Sequence, residues 1–306
     1  MDAEVATPVK REKTSLLRSD AAQKIGAFAA LIVLFAFFWV SSPYFRTFDN
    51  YVGILLATAV NGILALGVTF VIITGGIDLS VGTVMTFSAV MTGVFITKWG
   101  LPVWVGILGG ILSGGLAGLI NGTVISRMKI PPFIATLGML YATKGLSLVI
   151  SELKPIYFND TPIFRELAMS SLLGAIIPGL VIPNAVLVMF GAAIIASLIL
   201  NKTVLGRYTF AMGSNEEATR LSGVNVAFWK TVVYMLCGLF AGLAGVVWFM
   251  PQIISFVMVG DNEYSLATRT DAWQIIGELA RINPIFGLGP ANYYWYTPLI
   301  PIRGYS

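Results

Sequence analysis

Long apolar segments separated by short polar ones run through most of this chain. A helix needs about 20 apolar residues to cross the roughly 30 Å hydrocarbon core of a bilayer. Seven segments approach or reach that length, at residues 25–42, 52–73, 79–96, 103–125, 133–150, 182–200 and 231–249. The pattern therefore predicts an all-α, polytopic membrane protein with about seven spans. Because no small-residue cleavage site closely follows the first segment, we expect that segment to be retained as an anchor.

The composition agrees with a membrane setting and excludes several kinds of chemistry. Hydrophobic residues make up 57% of the chain and charged residues 11%, which is more apolar surface than a soluble domain of 306 residues can bury. Histidine is absent, so catalysis, metal ligation and proton relays that use histidine are excluded. The single cysteine, Cys237, lies in an apolar segment, and we interpret it as a packing residue.

Basic residues fall unevenly between the predicted spans, and this asymmetry sets the orientation. With a cytosolic N-terminus, the inner segments carry eleven lysines and arginines and the outer segments carry four. The inner set is Lys10, Arg11, Lys13, Arg18, Lys24, Arg127, Lys129, Lys202, Arg207, Arg220 and Lys230, and the outer set is Arg46, Lys98, Lys154 and Arg165. The net charge of +4 thus follows from topology and does not indicate nucleic-acid binding. We expect residues 1–24 to lie in the cytosol and residues 25–250 to form the membrane domain.

A charged amphipathic segment, residues 207–233, is set between two long apolar stretches. The orientation places it in the cytosol. We interpret it as a short helix that receives force from a soluble partner and passes that force to the membrane domain. A solvated loop without a partner is the alternative that these residues leave open.

Residues 74–82, with the sequence TGGIDLSVG, end one predicted helix and begin the next. Gly75 and Gly76 release the backbone, and the Asp78 carboxylate can cap the N-terminus of the new helix. Capping is one interpretation of this segment. The other is that these residues, together with Ser80, form a hinge or a contact for a partner.

Two predicted spans carry further patterns. The fourth has glycines at every fourth position, a spacing that lets a neighbouring helix approach closely. These glycines are Gly106, Gly110, Gly114, Gly118 and Gly122. We interpret the ladder as a packing device, with a gating role as the alternative. The second span carries the polar residues Asn61, Thr69 and Thr74, which suit either the wall of a water-containing path or hydrogen bonds to other helices.

The chain carries no recognisable energy source of its own. No phosphate-binding G-x-x-x-x-G-K-[ST] loop occurs, so we do not expect it to hydrolyse ATP alone. Few carboxylates and no histidine within the spans leave little for proton-coupled transport. An external motor that acts through the inner segments is the simplest remaining source. We predict no catalytic residue, no metal and no cofactor in this chain.

Four motifs follow one another in the order and topology expected of a transporter subunit. They are TGGIDLSVG at 74–82, Asn121 with Gly122, PFIATL at 132–137 and GRYTFAMGSNEEATRLSGVNV at 206–226. Together they resemble the membrane permeases of ribose-type ABC sugar importers, over about residues 25–248. The resemblance implies a type II, vitamin-B12-permease-like importer fold in the bacterial inner membrane. It also implies a ribose-type monosaccharide as solute, a second permease copy, a cytosolic ATPase that binds the ATP, and a periplasmic or extracellular sugar-binding protein.

Within the last motif, the resemblance implies a segment that docks on the ATPase. Its residues are Asn215, Glu216, Glu217, Ala218, Thr219, Arg220, Leu221, Ser222, Gly223 and Val224. The residue types suit such a helix, because Glu216 and Glu217 lie at its positive end and Arg220 can pair with them. Leu221 would add an apolar contact.

Residues 251–306 depart from the permease pattern, so we expect the C-terminal helices to be missing or replaced. The stretch 260–300, which includes NPIFGLGP at 283–290, resembles O-antigen ligase or polymerase-like membrane proteins. That resemblance implies a role for Arg269 and Arg281 with a lipid-linked glycan, and membrane-interface arginines beside aromatic residues are the alternative. A glycan-transferring enzyme and an inactive truncated or chimeric permease are therefore the alternative functions.

Overall fold

The structure, a computed structural model, describes residues 20–154, 156, 170–176 and 182–249. Within these ranges it contains ten α-helices and no β-strand. The helices are α1 (Asp20–Ser41), α2 (Phe48–Ile73), α3 (Val81–Gly93), α4 (Val103–Arg127), α5 (Pro132–Ile150), α6 (Leu172–Ile176), α7 (Asn184–Lys202), α8 (Val204–Ser214), α9 (Glu216–Leu221) and α10 (Val226–Phe249). A 3₁₀ turn at Pro43–Arg46 precedes α2, and a π-helical turn at Val94–Lys98 extends α3. The all-α prediction is confirmed, and residues 251–306 lie outside the described ranges.

Six helices of the described ranges are long and apolar enough to cross a membrane: α2, α3 with its π turn, α4, α5, α7 and α10. Within α1, residues Ile25–Ser41 form a shorter apolar helix. The polytopic membrane architecture is confirmed, whereas the total of about seven spans stays a prediction.

At two places the start of a helix differs from the predicted span for a reason visible in the local structure. The third span begins as a helix at Val81 instead of residue 79, because the residues before it form a turn. The last begins at Val226, five residues before the predicted start. There the side-chain oxygen of Asn225 accepts a hydrogen bond from the Phe228 N–H at 3.0 Å, which caps the helix. Lys230, predicted to lie in a loop, is therefore part of a span helix.

Residues 1–55 form one compact unit, of which residues 20–55 are described. An aromatic cluster joins α1, the 3₁₀ turn and the start of α2. The Phe35 ring centroid lies 5.2 Å from that of Phe45 and 6.3 Å from that of Tyr51. Arg46 Nε donates a hydrogen bond to the Trp39 carbonyl at 2.8 Å. Most large apolar side chains of α1 are exposed, which suits a hydrocarbon environment better than water.

The described part of the second compact unit, which begins at Leu56, is built around α10. In the most apolar stretch of α10, 61% of the residues are buried, whereas the corresponding share in the other five span helices is 17–39%. The helix α10 is therefore the central one. Its most extensive contact is with α4, followed by α3. Tyr234 and Cys237 of α10 are both 1% exposed and belong to the same apolar core as Ile63 and Phe70 of α2.

Small residues let α4 and α10 approach backbone to backbone. A Cβ at Gly118 would lie 2.2 Å from the Tyr234 carbonyl oxygen, and one at Gly114 would lie 2.5 Å from the Gly238 carbonyl oxygen. The fit is reciprocal, because a Cβ at Gly238 would lie 2.2 Å from the Gly114 oxygen. Only glycine fits at this spacing, so these positions fix how closely the two helices pack.

The remaining glycines of the predicted ladder face different neighbours. A Cβ at Gly122 would lie 2.7 Å from the Thr231 Cα of α10. Gly110 faces the Thr92 hydroxyl of α3, and Gly106 faces Ile96 in the π turn. One stripe of α4 thus contacts α10 over its C-terminal half and α3 over its N-terminal half.

Candidate functional site

The short helix α9 is defined by its own end signals. Asn215 takes an extended conformation and its Oδ1 accepts a hydrogen bond from the Ala218 N–H at 2.9 Å. Glu216 and Glu217 occupy the first turn, where negative charge is favourable. Gly223 follows the helix with φ of +84°, a conformation that favours glycine. The amphipathic segment predicted as one short helix is therefore divided among α8, α9 and the start of α10, and only Glu216–Leu221 forms the short helix.

The outward side of α9 presents charge and one apolar side chain. Arg220 pairs with Glu217 one turn away. The hydrogen bond and the positive charge of Arg220 lower the pKa of Glu217, and the same contact raises the pKa of Arg220. Leu221 is 79% exposed. An exposed leucine beside a preformed ion pair is a surface suited to a protein partner.

The opposite side of α9 is attached to the bundle. Thr219 is buried, and its hydroxyl donates to the Asn215 carbonyl at 2.8 Å. Glu216 Oε2 lies 2.7 Å from Nζ of Lys230 on α10. The Lys230 side chain is 17% exposed and the Glu216 side chain 54%, so the lysine points inward and holds the helix.

The preceding helix, α8, meets α2 through glycine. Thr203 accepts a hydrogen bond from the Gly206 N–H at the start of α8, 3.4 Å away. A Cβ at Gly206 would lie 1.9 Å from the Leu200 carbonyl oxygen, so the corner between α7 and α8 requires glycine. At the other end of α8, a Cβ at Gly213 would lie 1.8 Å from the Ile73 carbonyl oxygen. The last turn of α8 therefore lies directly against the end of α2.

The turn between α2 and α3, residues 74–80, contains the predicted hinge residues. Gly75 has φ of +73° and ends α2 as expected of a glycine. Oδ1 of Asp78 accepts hydrogen bonds from the Ser80 N–H at 2.8 Å and from the Ser80 hydroxyl at 2.6 Å. Ser80 is itself the N-cap residue of α3, so the prediction that Asp78 caps this helix is wrong. Its carboxylate lies two residues too early to reach the free N–H groups of the first turn and closes the turn instead.

Asp78 is largely buried within this turn. Desolvation raises its pKa, while the hydrogen bonds from Ser80 and the Cys237 thiol oppose that shift. Asn121 of α4 donates from Nδ2 to the Ser80 hydroxyl at 3.0 Å and is 2% exposed. The turn is thus tied to α4 by a buried polar contact.

A second hydrogen bond ties the same turn to α10. The Tyr234 hydroxyl donates to the Ile77 carbonyl at 3.2 Å. A Cβ at Gly76 would lie 2.6 Å from the Tyr234 hydroxyl oxygen, so the turn lies directly on the tyrosine. Because Ile77 lies outside any helix, its carbonyl has no helical partner and needs another donor.

The three residues proposed to line a path do not come together. Asn61 and Thr69 lie on an exposed face of α2, and the Thr69 hydroxyl donates to the Ala65 carbonyl at 2.7 Å. Thr74 is buried at the end of α2, where its hydroxyl donates to the Val71 carbonyl at 2.7 Å.

The contacts that join these parts are not predicted from the sequence. Neither the partners of Lys230 and Tyr234 nor the close approach of Gly213 to Ile73 is evident from residues near them in the chain. A lysine and a tyrosine four residues apart at the start of an apolar helix are a sequence signal for such contacts, because the two side chains share one helix face. In the described residues, no group of three or more cysteine, aspartate or glutamate side chains is placed to hold a metal.

Residues 50–287 match the family described as "Branched-chain amino acid transport system / permease component". The chain belongs to this family. The match includes the turn, α8, α9 and α10. It also extends past residue 248, where the motif resemblance ends, and includes Arg269 and Arg281 outside the described residues.

Curated relatives of this permease are named for sugars. The Ribose import permease protein RbsC of Escherichia coli (strain K12) is 36% identical over 223 residues, which are 71% of this chain and 66% of that protein. The L-arabinose transport system permease protein AraH of Escherichia coli (strain K12) is 37% identical over 222 residues, 72% and 65% of the two chains. The Fructose import permease protein FrcC of Rhizobium meliloti is 38% identical over 198 residues, 63% and 53%.

The matched part of this permease spans 66% of the length of the ribose relative. No solved structure matches the chain.

Proposed function

We propose that this chain is the permease subunit of an ATP-binding-cassette importer that carries a monosaccharide across the bacterial cytoplasmic membrane. A separate ATPase binds the ATP and drives transport. Membership of a transport permease family and relatives named for ribose, L-arabinose and fructose support this proposal. Ribose and L-arabinose are the sugars to test first, because relatives named for them match 71% and 72% of the chain.

The observation that carries the proposal is that one side of α9 is attached to the helix bundle and the other side is exposed. One side is attached to the bundle by buried Thr219 and by the Glu216–Lys230 ion pair. The other side presents Glu217, Arg220 and Leu221 to the surroundings. A rigidly attached helix with a free mixed surface can transmit a push from a soluble protein. A solvated loop would show neither the caps nor the inward attachment.

The orientation of the bundle is part of the proposal. The ends of α4 and α7 carry Arg127 and Lys202, on the predicted cytosolic side together with α9. Basic residues concentrate on the cytosolic side of membrane proteins, which places α9 where ATP is available. A thiol introduced at Ser214 should be labelled by a membrane-impermeant reagent added to everted vesicles, whose cytosolic face points outward, and not by the same reagent added to intact cells. The reverse pattern would contradict the proposal.

The mechanism follows from the contacts of α9. ATP binding closes the ATPase, α9 and α8 move with it, and α2 and α4 shift between outward-open and inward-open arrangements. A type II importer fold, a second permease copy and an external sugar-binding protein complete the proposed assembly. No bond in the sugar changes, so it should arrive unmodified. A phosphorylated product recovered inside vesicles would contradict this step.

Two exposed leucines allow a matched test of docking. Leu221 on α9 is 79% exposed and Leu153, after α5, is 78% exposed. Neither leucine contributes much to the core, so aspartate at either position should leave the fold intact. The chain is purified by affinity from native membranes, and the ATP hydrolysis activity that co-purifies with it is measured. This activity should fall at least about tenfold for Leu221→Asp and stay at the wild-type level for Leu153→Asp. Glu217→Arg and Arg220→Glu should also reduce it.

Equal retention of ATP hydrolysis by all these variants would refute docking through α9. The glycan-transfer alternative predicts that result, together with loss of function on substitution of Arg269.

A further inference from the structure

One face of α10 contacts both the proposed docking helix and the turn between α2 and α3. Lys230 and Tyr234 are four residues apart and therefore lie on the same face. Lys230 Nζ lies 2.7 Å from Glu216 of α9, and the Tyr234 hydroxyl donates to Ile77 of the turn at 3.2 Å. We infer that Lys230 and Tyr234 form a relay that makes α9 and the α2–α3 turn move together. This inference rests on the proposed function and adds the positioning residues through which it would operate.

The Lys230 side chain is more covered than the side chains of the docking surface. The Lys230 side chain is 17% exposed, whereas the Glu217 and Arg220 side chains are 62% and 63% exposed. Glu216 reaches inward to Lys230 across 14 residues of sequence. A displacement of α9 must therefore break this ion pair or carry the start of α10 with it.

The Tyr234 contact continues the connection by one helical turn. Tyr234 is 1% exposed, and Gly76 leaves no room between its backbone and the tyrosine hydroxyl. The same turn holds Ser80, whose hydroxyl accepts a hydrogen bond from Asn121 of α4. A shift of α10 is therefore transferred to the turn, and through the turn to α4.

A third contact to the turn comes from α8. Gly213, at the end of α8, lies against the Ile73 carbonyl at the end of α2, with no space for a Cβ. α8 is separated from α9 by Asn215 alone. The turn thus lies between two elements that flank the docking helix, and a movement of α9 reaches it from both sides.

The relay predicts uncoupling without loss of assembly. Lys230→Met removes the charge that binds Glu216 and keeps an unbranched side chain, and Tyr234→Phe removes only the hydroxyl. Both leave Glu217, Arg220 and Leu221 unchanged. Each variant should still co-purify with ATP hydrolysis, while the sugar carried per ATP hydrolysed falls about fivefold or more.

The experiment compares ribose uptake and ATP hydrolysis in vesicles reconstituted with the complete transporter. Lys230→Met, Tyr234→Phe and the double variant are measured together. Because the two residues act in series, the double variant should lose no more than the worse single variant. Matched controls are Lys202→Met and Tyr141→Phe, a lysine and a tyrosine that are both exposed. Both controls should keep the wild-type ratio of sugar to ATP.

The ion pair can be tested again by reversal. Glu216→Lys combined with Lys230→Glu should restore part of the transport that each single reversal loses. Should Lys230→Met fail to fold, Lys230→Gln also removes the charge, keeps a polar side chain at this position and should show the same uncoupling.

Three results would overturn the relay. They are wild-type sugar-to-ATP ratios in both single variants, losses that multiply in the double variant, and loss of ATPase co-purification by Lys230→Met. The last would assign Lys230 to the docking surface. Failure of the unaltered chain to co-purify with any ATP hydrolysis would instead refute the proposed function.

Discussion

Substitution of Gly118 by alanine tests the packing of α4 on α10. The added Cβ would lie 2.2 Å from the Tyr234 carbonyl oxygen and 3.1 Å from the Gly238 Cα. An ordinary carbon–oxygen contact needs about 3.3 Å, so the methyl group is about 1 Å too close. Both neighbours are backbone atoms and cannot rotate away, so the two helices must separate. Overpacking of this kind costs about 1–3 kcal/mol.

Gly138→Ala is the matched control. Gly138 lies within α5, and nothing lies within 4 Å of the position that its Cβ would take. Both substitutions gain the same intrinsic helix preference, about 1 kcal/mol for alanine over glycine. The difference between the two variants therefore isolates the contact between α4 and α10. We expect Gly118→Ala to be less stable than Gly138→Ala by about 1–3 kcal/mol.

The chain provides its own reporter for this measurement. Cys237 is the single cysteine and is 1% exposed in the core, where α10 packs on α2 at Gly67. A thiol-reactive fluorescent dye should label it only on unfolding, so a temperature scan of the detergent-purified chain gives the transition. Far-ultraviolet circular dichroism checks that labelling follows global unfolding. An unfolding temperature for Gly118→Ala equal to or above that of Gly138→Ala would refute the backbone-to-backbone contact.

Three further predictions concern single side chains. Asp78→Asn keeps the oxygen that accepts from Ser80 and should retain or raise the unfolding temperature, whereas Asp78→Ala should lose about 1–3 kcal/mol. Because burial raises the pKa of Asp78 above its ordinary 3.8, the wild-type chain should lose stability as pH rises from 3.8 through the raised pKa, and Asp78→Asn should abolish that slope. Asn215→Ala removes the α9 cap and should speed amide exchange in α9 by about fivefold, for a cap worth about 1 kcal/mol, while Asn215→Asp should not. The Lys98 hydrogen bond and charge lower the pKa of Glu152. The wild type should therefore be more stable than Glu152→Gln above pH 4.5, and this difference in stability should disappear as the pH falls through the lowered pKa.

Local signals in the sequence were sufficient for several elements. The apolar lengths predicted the span helices, because crossing a hydrocarbon layer requires a fixed number of helical residues. Asn215 and Gly223 are end signals of α9 that can be recognised along the chain, because a cap acts within three or four residues of itself. The break after Ile73 followed from Gly75 for the same reason.

Interpretations that needed a distant partner were less successful. The carboxylate of Asp78 looked like a cap because it precedes a helix, yet it binds Ser80, and Ser80 binds Asn121, 41 residues away. The helix α10 also starts five residues before the predicted span, because Lys230 lies within the helix and not in a loop. Its ion pair with Glu216 removes the penalty of placing a lysine near the apolar part of a helix.

The amino-acid sequence by itself determined that this protein is a helical membrane permease, where most of its helices lie, and which short helix lies between two spans. These properties depend on length, hydrophobicity and nearest neighbours, which are written along the chain. Only the tertiary structure decided that α10 is the central helix and that Tyr234 reaches Ile77, 157 residues away in sequence. Such contacts depend on how closely the helix backbones approach, and the glycines that permit this approach do not specify which helix they will meet.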